Sequence, residues 1–211
     1  MSNFIKVLKR DIVSIGIVFG LSAIGYLVIA FFSSDIRTIL NGLVTPLICF
    51  PVASAYLFKL KGFSPQKLVY PDTNKISANA ILYIIMSVSA MMGMSFLIGL
   101  TSKLFNIVSS NNSVQGLPTW FLIILTCIIA PISEEIFFRA ALSSVSSEQK
   151  NTSEDLLAAF LFSAFHFSIL HFPYYLVLSL ICTYGVKRYG SLWISIIIHA
   201  ILNLIMVLIM L

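Results

Sequence analysis

The residues best suited to chemistry lie in Pro131-Ile132-Ser133-Glu134-Glu135-Ile136-Phe137-Phe138-Arg139, inside an apolar run from Leu117 to Leu142. That run is long enough to cross a bilayer. An ionisable group at such depth costs roughly 3 kcal/mol on insertion scales and marks a functional site by default. Outside the loops few other strongly polar side chains remain. They are His166, His199 and Asn203, with His171 at a helix junction. Glu135 and Arg139 are spaced i,i+4, acid first, the favourable order for an intrahelical ion pair. Glu134 sits about 100° round the helix from Glu135. It is therefore the freer carboxylate, able to point toward His166.

A Glu, two His and an Asn in a membrane cavity suit hydrolysis. Glu134, desolvated, would take a proton from water as general base. His166 would position that water, and His199 with Asn203, also i,i+4 on one face, would hold the oxyanion of a tetrahedral intermediate. A second version places a divalent metal such as zinc on Glu134, His166 and His199, with an open position for water. No HExxH helix is present, so such a site would be assembled from three helices. Cys127, seven residues before Glu134, could line the same face, but a cysteine–histidine pair is the weaker arrangement.

These groups must be positioned by membrane helices. The chain has 211 residues, 59% hydrophobic and 10% charged, against about 25% charged in a soluble domain. Mean hydropathy is +1.00. On the yardstick of about 20 apolar residues per span, seven segments qualify: Ile12–Phe32, Ile39–Phe58, Ala78–Leu100, Leu117–Leu142, Leu156–Leu170, Tyr174–Val186 and Leu192–Leu211. The fifth and sixth are short and read either as a tight helical hairpin or as one span plus a re-entrant piece. The first run is longer than a signal-peptide core of roughly 7–15 residues, so it reads as an uncleaved helix. The fold expected is an all-α polytopic bundle, one domain over residues 1–211. The site is carried by 118–206, and residues 1–100 supply supporting helices.

Basic residues in the gaps give an orientation. Lys6, Lys9, Arg10, Lys59, Lys61, Lys67, Lys75, Lys150, Lys187 and Arg188 fall on one side; Arg37 and Lys103 fall on the other. The excess places the N-terminus in the cytoplasm and the C-terminus outside in a multi-pass membrane protein; the small size and compact loops suit a bacterial plasma membrane. With this topology and a rise of 1.5 Å per residue, Glu134, His166, His199 and Asn203 come to depths of about 12, 15, 11 and 17 Å from the cytoplasmic end. The +5 net charge is no nucleic-acid footprint, because the cations sit in short gaps with no basic stripe. The partners expected are lipid and a peptide or membrane-protein substrate. Cys49, Cys127 and Cys182 stand singly in apolar segments and read as small buried hydrophobes.

Several minor features have structural readings. Tyr174, Tyr175, Tyr184, Tyr189 and Trp193 suit interfacial belts. Gly16, Gly20, Gly25, Gly93 and Gly99 suit close helix packing. Phe137 and Phe138 would face lipid or keep Glu134 dry.

Glu134-Glu135-x-x-x-Arg139, Phe162-x-x-x-His166 and His199-x-x-x-Asn203 resemble the three motifs of the CPBP intramembrane proteases. That family includes the CAAX prenyl endopeptidases of the Rce type and the bacterial Abi proteins linked to bacteriocin processing and self-immunity. The resemblance runs from Pro118 to Met206. It implies an intramembrane endopeptidase with a polar cavity opening toward the cytosol, seven or eight helices, and Glu134 as catalytic glutamate with His166 its partner. His199 and Asn203 resemble the remaining cavity pair, and Glu135, Arg139 and Phe162 resemble flanking residues. Glutamate-activated water is the preferred chemistry, with the metal open. Two other function classes fit the same residues: a non-enzymatic immunity protein that sequesters a peptide, and a proton-coupled transporter. The latter lacks the inverted repeat and paired broken helices such transporters carry.

Overall fold

A computed structural model describes residues 2–32, 39–40, 42–62, 77–105, 118–143, 145 and 151–210. The described residues form an all-helical membrane bundle. Its helices are α1 (Ser2–Ile29), α2 (Gly42–Lys61), α3 (Ala78–Leu104), α4 (Thr119–Leu142), α5 (Thr152–Phe165), α6 (Phe172–Tyr189) and α7 (Trp193–Met210). The seven expected segments correspond to these seven helices. Helices α1 to α4 are long and apolar enough to cross a membrane, and α7 is a shorter apolar helix. Exposed side chains such as Leu27, Ile85, Met86, Phe96 and Leu97 give the bundle an apolar exterior, as lipid contact requires.

Local chemistry sets the helix ends. Ser77 caps α3 by accepting from the Ala80 N–H, and Asn151 caps α5 by accepting from Ser153. Gly62 and Gly190 close α2 and α6 at φ +61° and +66°, backbone that suits glycine. Helix α5 has 14 residues, about 21 Å of rise, short of a hydrocarbon core of about 30 Å. Of the two readings of these segments, the structure forms the hairpin.

One end of the bundle gathers the charges. Lys61 Nζ pairs with Glu154 Oε2 at 3.5 Å and donates to the Leu142 and Ser143 carbonyls at 3.3 and 3.1 Å, capping α4. Lys187 forms an ion pair with Asp155. Arg37, Lys67, Lys75 and Lys150 lie outside the described residues.

Helices α2 and α4 are not regular. Thr45–Cys49 of α2, and Ile124–Ile129 and Ile136–Leu142 of α4, are π-helical, with i→i+5 hydrogen bonds. Such wide turns concentrate at functional sites.

An aromatic core joins the helices around them. Phe50 stacks on Phe137 at 5.0 Å, Phe138 meets Phe162 edge-on at 5.2 Å, and Phe19 of α1 stacks on Phe165 at 5.0 Å. Phe137 and Phe138 are thus core residues, both 1% exposed.

The glycine expectation holds at only one of its five positions. A Cβ on Gly25 would lie 2.6 Å from Val44 Cγ1, whereas Gly16, Gly20, Gly93 and Gly99 face open space. Those four present lipid-facing surface rather than a helix contact. The tightest approach around α6 is at Gly185, where a Cβ would meet Tyr83 Cε1 at 2.7 Å and Ile194 Cγ2 at 3.0 Å. Tyr83 is held there by its hydroxyl, which donates to the Ile181 carbonyl at 2.6 Å. Gly185→Ala is expected to destabilise the protein by about 1–3 kcal/mol through overpacking. A lowered thermal unfolding midpoint in detergent would register it, and an unchanged midpoint would refute it.

Candidate active site

The middle of α4 supplies the carboxylates. Glu135 and Arg139, both fully buried, form the expected i,i+4 ion pair, Nε to Oε2 at 3.0 Å. The guanidinium lies over the Phe162 ring at 4.5 Å, a cation–π contact. Its Nη1 and Nη2 have no hydrogen-bond partner among the described residues.

Glu135 does more than neutralise Arg139. Its Oε1 meets His199 Nδ1 at 3.0 Å. The other imidazole nitrogen, Nε2, faces Glu134 Oε2 at 3.9 Å. A continuous chain therefore runs Arg139–Glu135–His199–Glu134. Arg139 and Glu135 cancel in charge. Glu134 Oε2 has no hydrogen-bond partner among the described residues.

His166 ends α5. Its Nδ1 lies 2.7 Å from the Phe162 carbonyl, which can only accept, so Nδ1 carries the proton and Nε2 keeps its lone pair. The ring stacks on Tyr175 at 3.7 Å. Tyr175 and Tyr174 therefore serve the site side of the bundle rather than a belt: Tyr174 is buried, while Tyr184 and Trp193 are exposed. The chain turns sharply after His166 through Phe167 at φ +48°. This left-handed conformation costs a bulky residue on the order of 1–3 kcal/mol.

Glu134 and His166 line one cavity of about 540 Å³. Its walls come from Phe19, Ser22, Ala23 and Tyr26 of α1, Thr45, Pro46 and Phe50 of α2, and Leu125, Thr126 and Phe138 of α4. It is polar at its floor and largely apolar in its walls. Its α2 lining, Thr45, Pro46 and Phe50, belongs to the half of that helix remote from Lys61, so the chamber lies away from the charged end, opposite to the cytosol-facing opening that the resemblance implied. Helices α1 and α2, expected only to support, thus form much of the chamber. Sequence spacing gave no signal for this, because a cavity wall of Phe, Ala and Pro reads like any core.

The wall carries one further polar feature. The Phe50 N–H bonds to the Thr45 carbonyl, and the next donor in that register is Pro51, which has no N–H. The Pro46 carbonyl is left without an intrahelical donor. Pro46 and Phe50 both line the cavity.

The structure brings Glu134, Glu135, Arg139, His199 and Phe162 together and sets His166 on the same cavity. Glu134 is directed at His199, where the spacing suggested His166. Asn203 is not on the carboxylates: its Nδ2 donates to the Thr126 carbonyl at 2.7 Å. His171 caps the start of α6 and meets Ser168 Oγ at 3.0 Å. Cys49, Cys127 and Cys182 are buried free thiols.

Among the described residues no three His, Cys, Asp or Glu side chains converge as a metal-binding group. No step is routed through a metal.

Comparison with known proteins agrees with the motif resemblance. Residues 116–205 match the family model described as type II CAAX prenyl endopeptidase Rce1-like. That segment contains every residue of the chain from Arg139 to Glu134, with His166 and Asn203. Over 98 residues the chain is 38% identical to the UPF0177 protein YbdI of Lactococcus lactis subsp. lactis (strain IL1403). That alignment covers 46% of this chain and 53% of the relative, so the chain spans about half the length of the curated protein it matches. No solved structure matches.

Proposed function

We propose, taking residues 116–205 as an Rce1-like segment, that this multi-pass membrane protein is an intramembrane endopeptidase that cleaves an apolar peptide or membrane-anchored segment with glutamate-activated water. The observation that carries the reading is Glu134: a carboxylate with an unpartnered oxygen, in the wall of an apolar cavity, facing an imidazole that is itself fixed by a buried carboxylate.

In this reading, Glu134 and the free Nε2 of His166 hold the water. Glu134 takes a proton as the water oxygen bonds to the scissile carbonyl carbon. His199, carrying a proton on Nε2 and oriented by Glu135, donates to the developing oxyanion. Glu134 then gives its proton to the leaving nitrogen as the C–N bond breaks, and the acid and amine products depart. The apolar walls exclude bulk water. The charged end of the bundle is taken as cytoplasmic, in a cell membrane, on the positive-inside rule. Bacteriocin-like peptide processing or self-immunity is the setting this chemistry suits.

The test uses wild-type protein in lipid vesicles incubated with a pool of apolar peptides, with new termini read by mass spectrometry. Wild-type protein is expected to cleave, and His166→Ala to lose about a hundredfold or more of that activity at equal membrane level. Equal cleavage by both would refute the assignment.

A further inference from the structure

We propose that Asn203 is a positioning residue: its side-chain amide supplies the hydrogen bond that Pro131 cannot give to the Thr126 carbonyl. In doing so it fixes the wide turn that sets Glu134 against the cavity.

The hydrogen-bond register carries the argument. In a regular α-helix the Thr126 carbonyl would accept from the Ala130 N–H. Here the Ala130 N–H bonds to Leu125 instead, because Ile124–Ile129 is π-helical. The next donor in the widened register is residue 131, a proline without an N–H. Thr126's own hydroxyl is committed to the Leu122 carbonyl at 2.8 Å. The carbonyl would thus stand without a main-chain donor. Asn203 Nδ2 reaches it at 2.7 Å.

The consequence for the site follows from spacing. His199 and Asn203 are one turn apart on the same face of α7, about 6 Å along the axis. Asn203 grips α4 at Thr126, before the proline, and His199 meets Glu134 and Glu135, after it. The two contacts straddle Pro131, so α7 fixes how the half of α4 bearing Glu134 is turned relative to the half before it.

The clamp stands on geometry alone; only its catalytic effect rests on Glu134 being the working carboxylate. A four-member cycle tests both: wild type, Asn203→Leu, Pro131→Ala and the double variant, each purified in detergent. Pro131→Ala returns an N–H to the helix, so the Thr126 carbonyl no longer needs Asn203. Asn203→Leu is expected to lower the unfolding temperature by on the order of 5 °C, and Pro131→Ala to restore most of that loss in the double variant. With a quenched peptide that wild type cleaves, kcat should fall about tenfold to a hundredfold in Asn203→Leu with KM little changed, and recover in the double variant. A double variant as unstable as Asn203→Leu would overturn the clamp. Recovered stability without recovered kcat would place Asn203 on the substrate and overturn the positioning role. If Asn203→Leu fails to accumulate, Asn203→Ala takes its place in the cycle. Loss of both double variants where Pro131→Ala alone accumulates also counts against the proposal. Should wild type cleave no peptide, the endopeptidase reading fails while the unfolding cycle still decides the clamp.

Discussion

Glu134→Gln is expected to lower peptide cleavage by about a hundredfold to ten-thousandfold, the usual contribution of a general base, while the protein still folds and accumulates. The substitution keeps the side chain's volume and hydrogen-bonding shape but removes its ability to take a proton. Stability should hardly change, since Glu134 Oε2 makes no hydrogen bond among the described residues and only a 3.9 Å contact to His199. The loss should fall on kcat, because the cavity walls that bind an apolar segment stay intact. Michaelis–Menten kinetics beside a thermal unfolding curve separate the two effects. Full activity in Glu134→Gln would remove Glu134 from the chemistry.

The second large effect lies in the buried pair. Arg139→Met strands the Glu135 carboxylate at a site with no exposure. Breaking a buried pair on one side typically costs 3–5 kcal/mol, a large share of the stability of most domains. Arg139→Met should therefore unfold at a much lower temperature or fail to accumulate. Replacing both members, Glu135→Leu with Arg139→Met, removes the stranded charge and should recover much of the stability. Activity should not return. His199 Nδ1 loses its partner at Glu135 Oε1, and the imidazole is no longer held toward Glu134. A folded, inactive double variant separates the two roles of Glu135: tolerating Arg139 in the membrane and aiming His199. An active double variant would show that His199 needs no such aiming.

The sequence by itself determined the membrane class, because apolar runs of about 20 residues have few other uses. It determined the Glu135–Arg139 pair, because i,i+4 spacing acts within one helix and needs no partner. It also brought α4, α5 and α7 together at one level, since depth follows from helical rise once the spans are placed. The Phe162-x-x-x-His166 spacing carried more than a shared face: Phe162 touches Arg139, His166 and His199 through its ring.

Other features depended on which way each helix is turned about its axis, and spacing within one helix does not fix that. Glu134 turns to His199 because α7, not α5, packs its imidazole between the two carboxylates. The same spacing held a sign that Asn203 lies apart, because a residue one turn beyond His199 must sit about 6 Å farther along the helix. Its partner there is a main-chain carbonyl, which leaves no mark in residue types; only the proline five positions after Thr126 hints at a carbonyl in need of a donor. The cavity wall drawn from α1 and α2 was likewise invisible, since apolar side chains that line a chamber are the same as those that fill a core. What the tertiary structure alone decided is the rotation of α7 against α4, which turns one histidine toward the carboxylates and leaves the asparagine a turn away on the backbone.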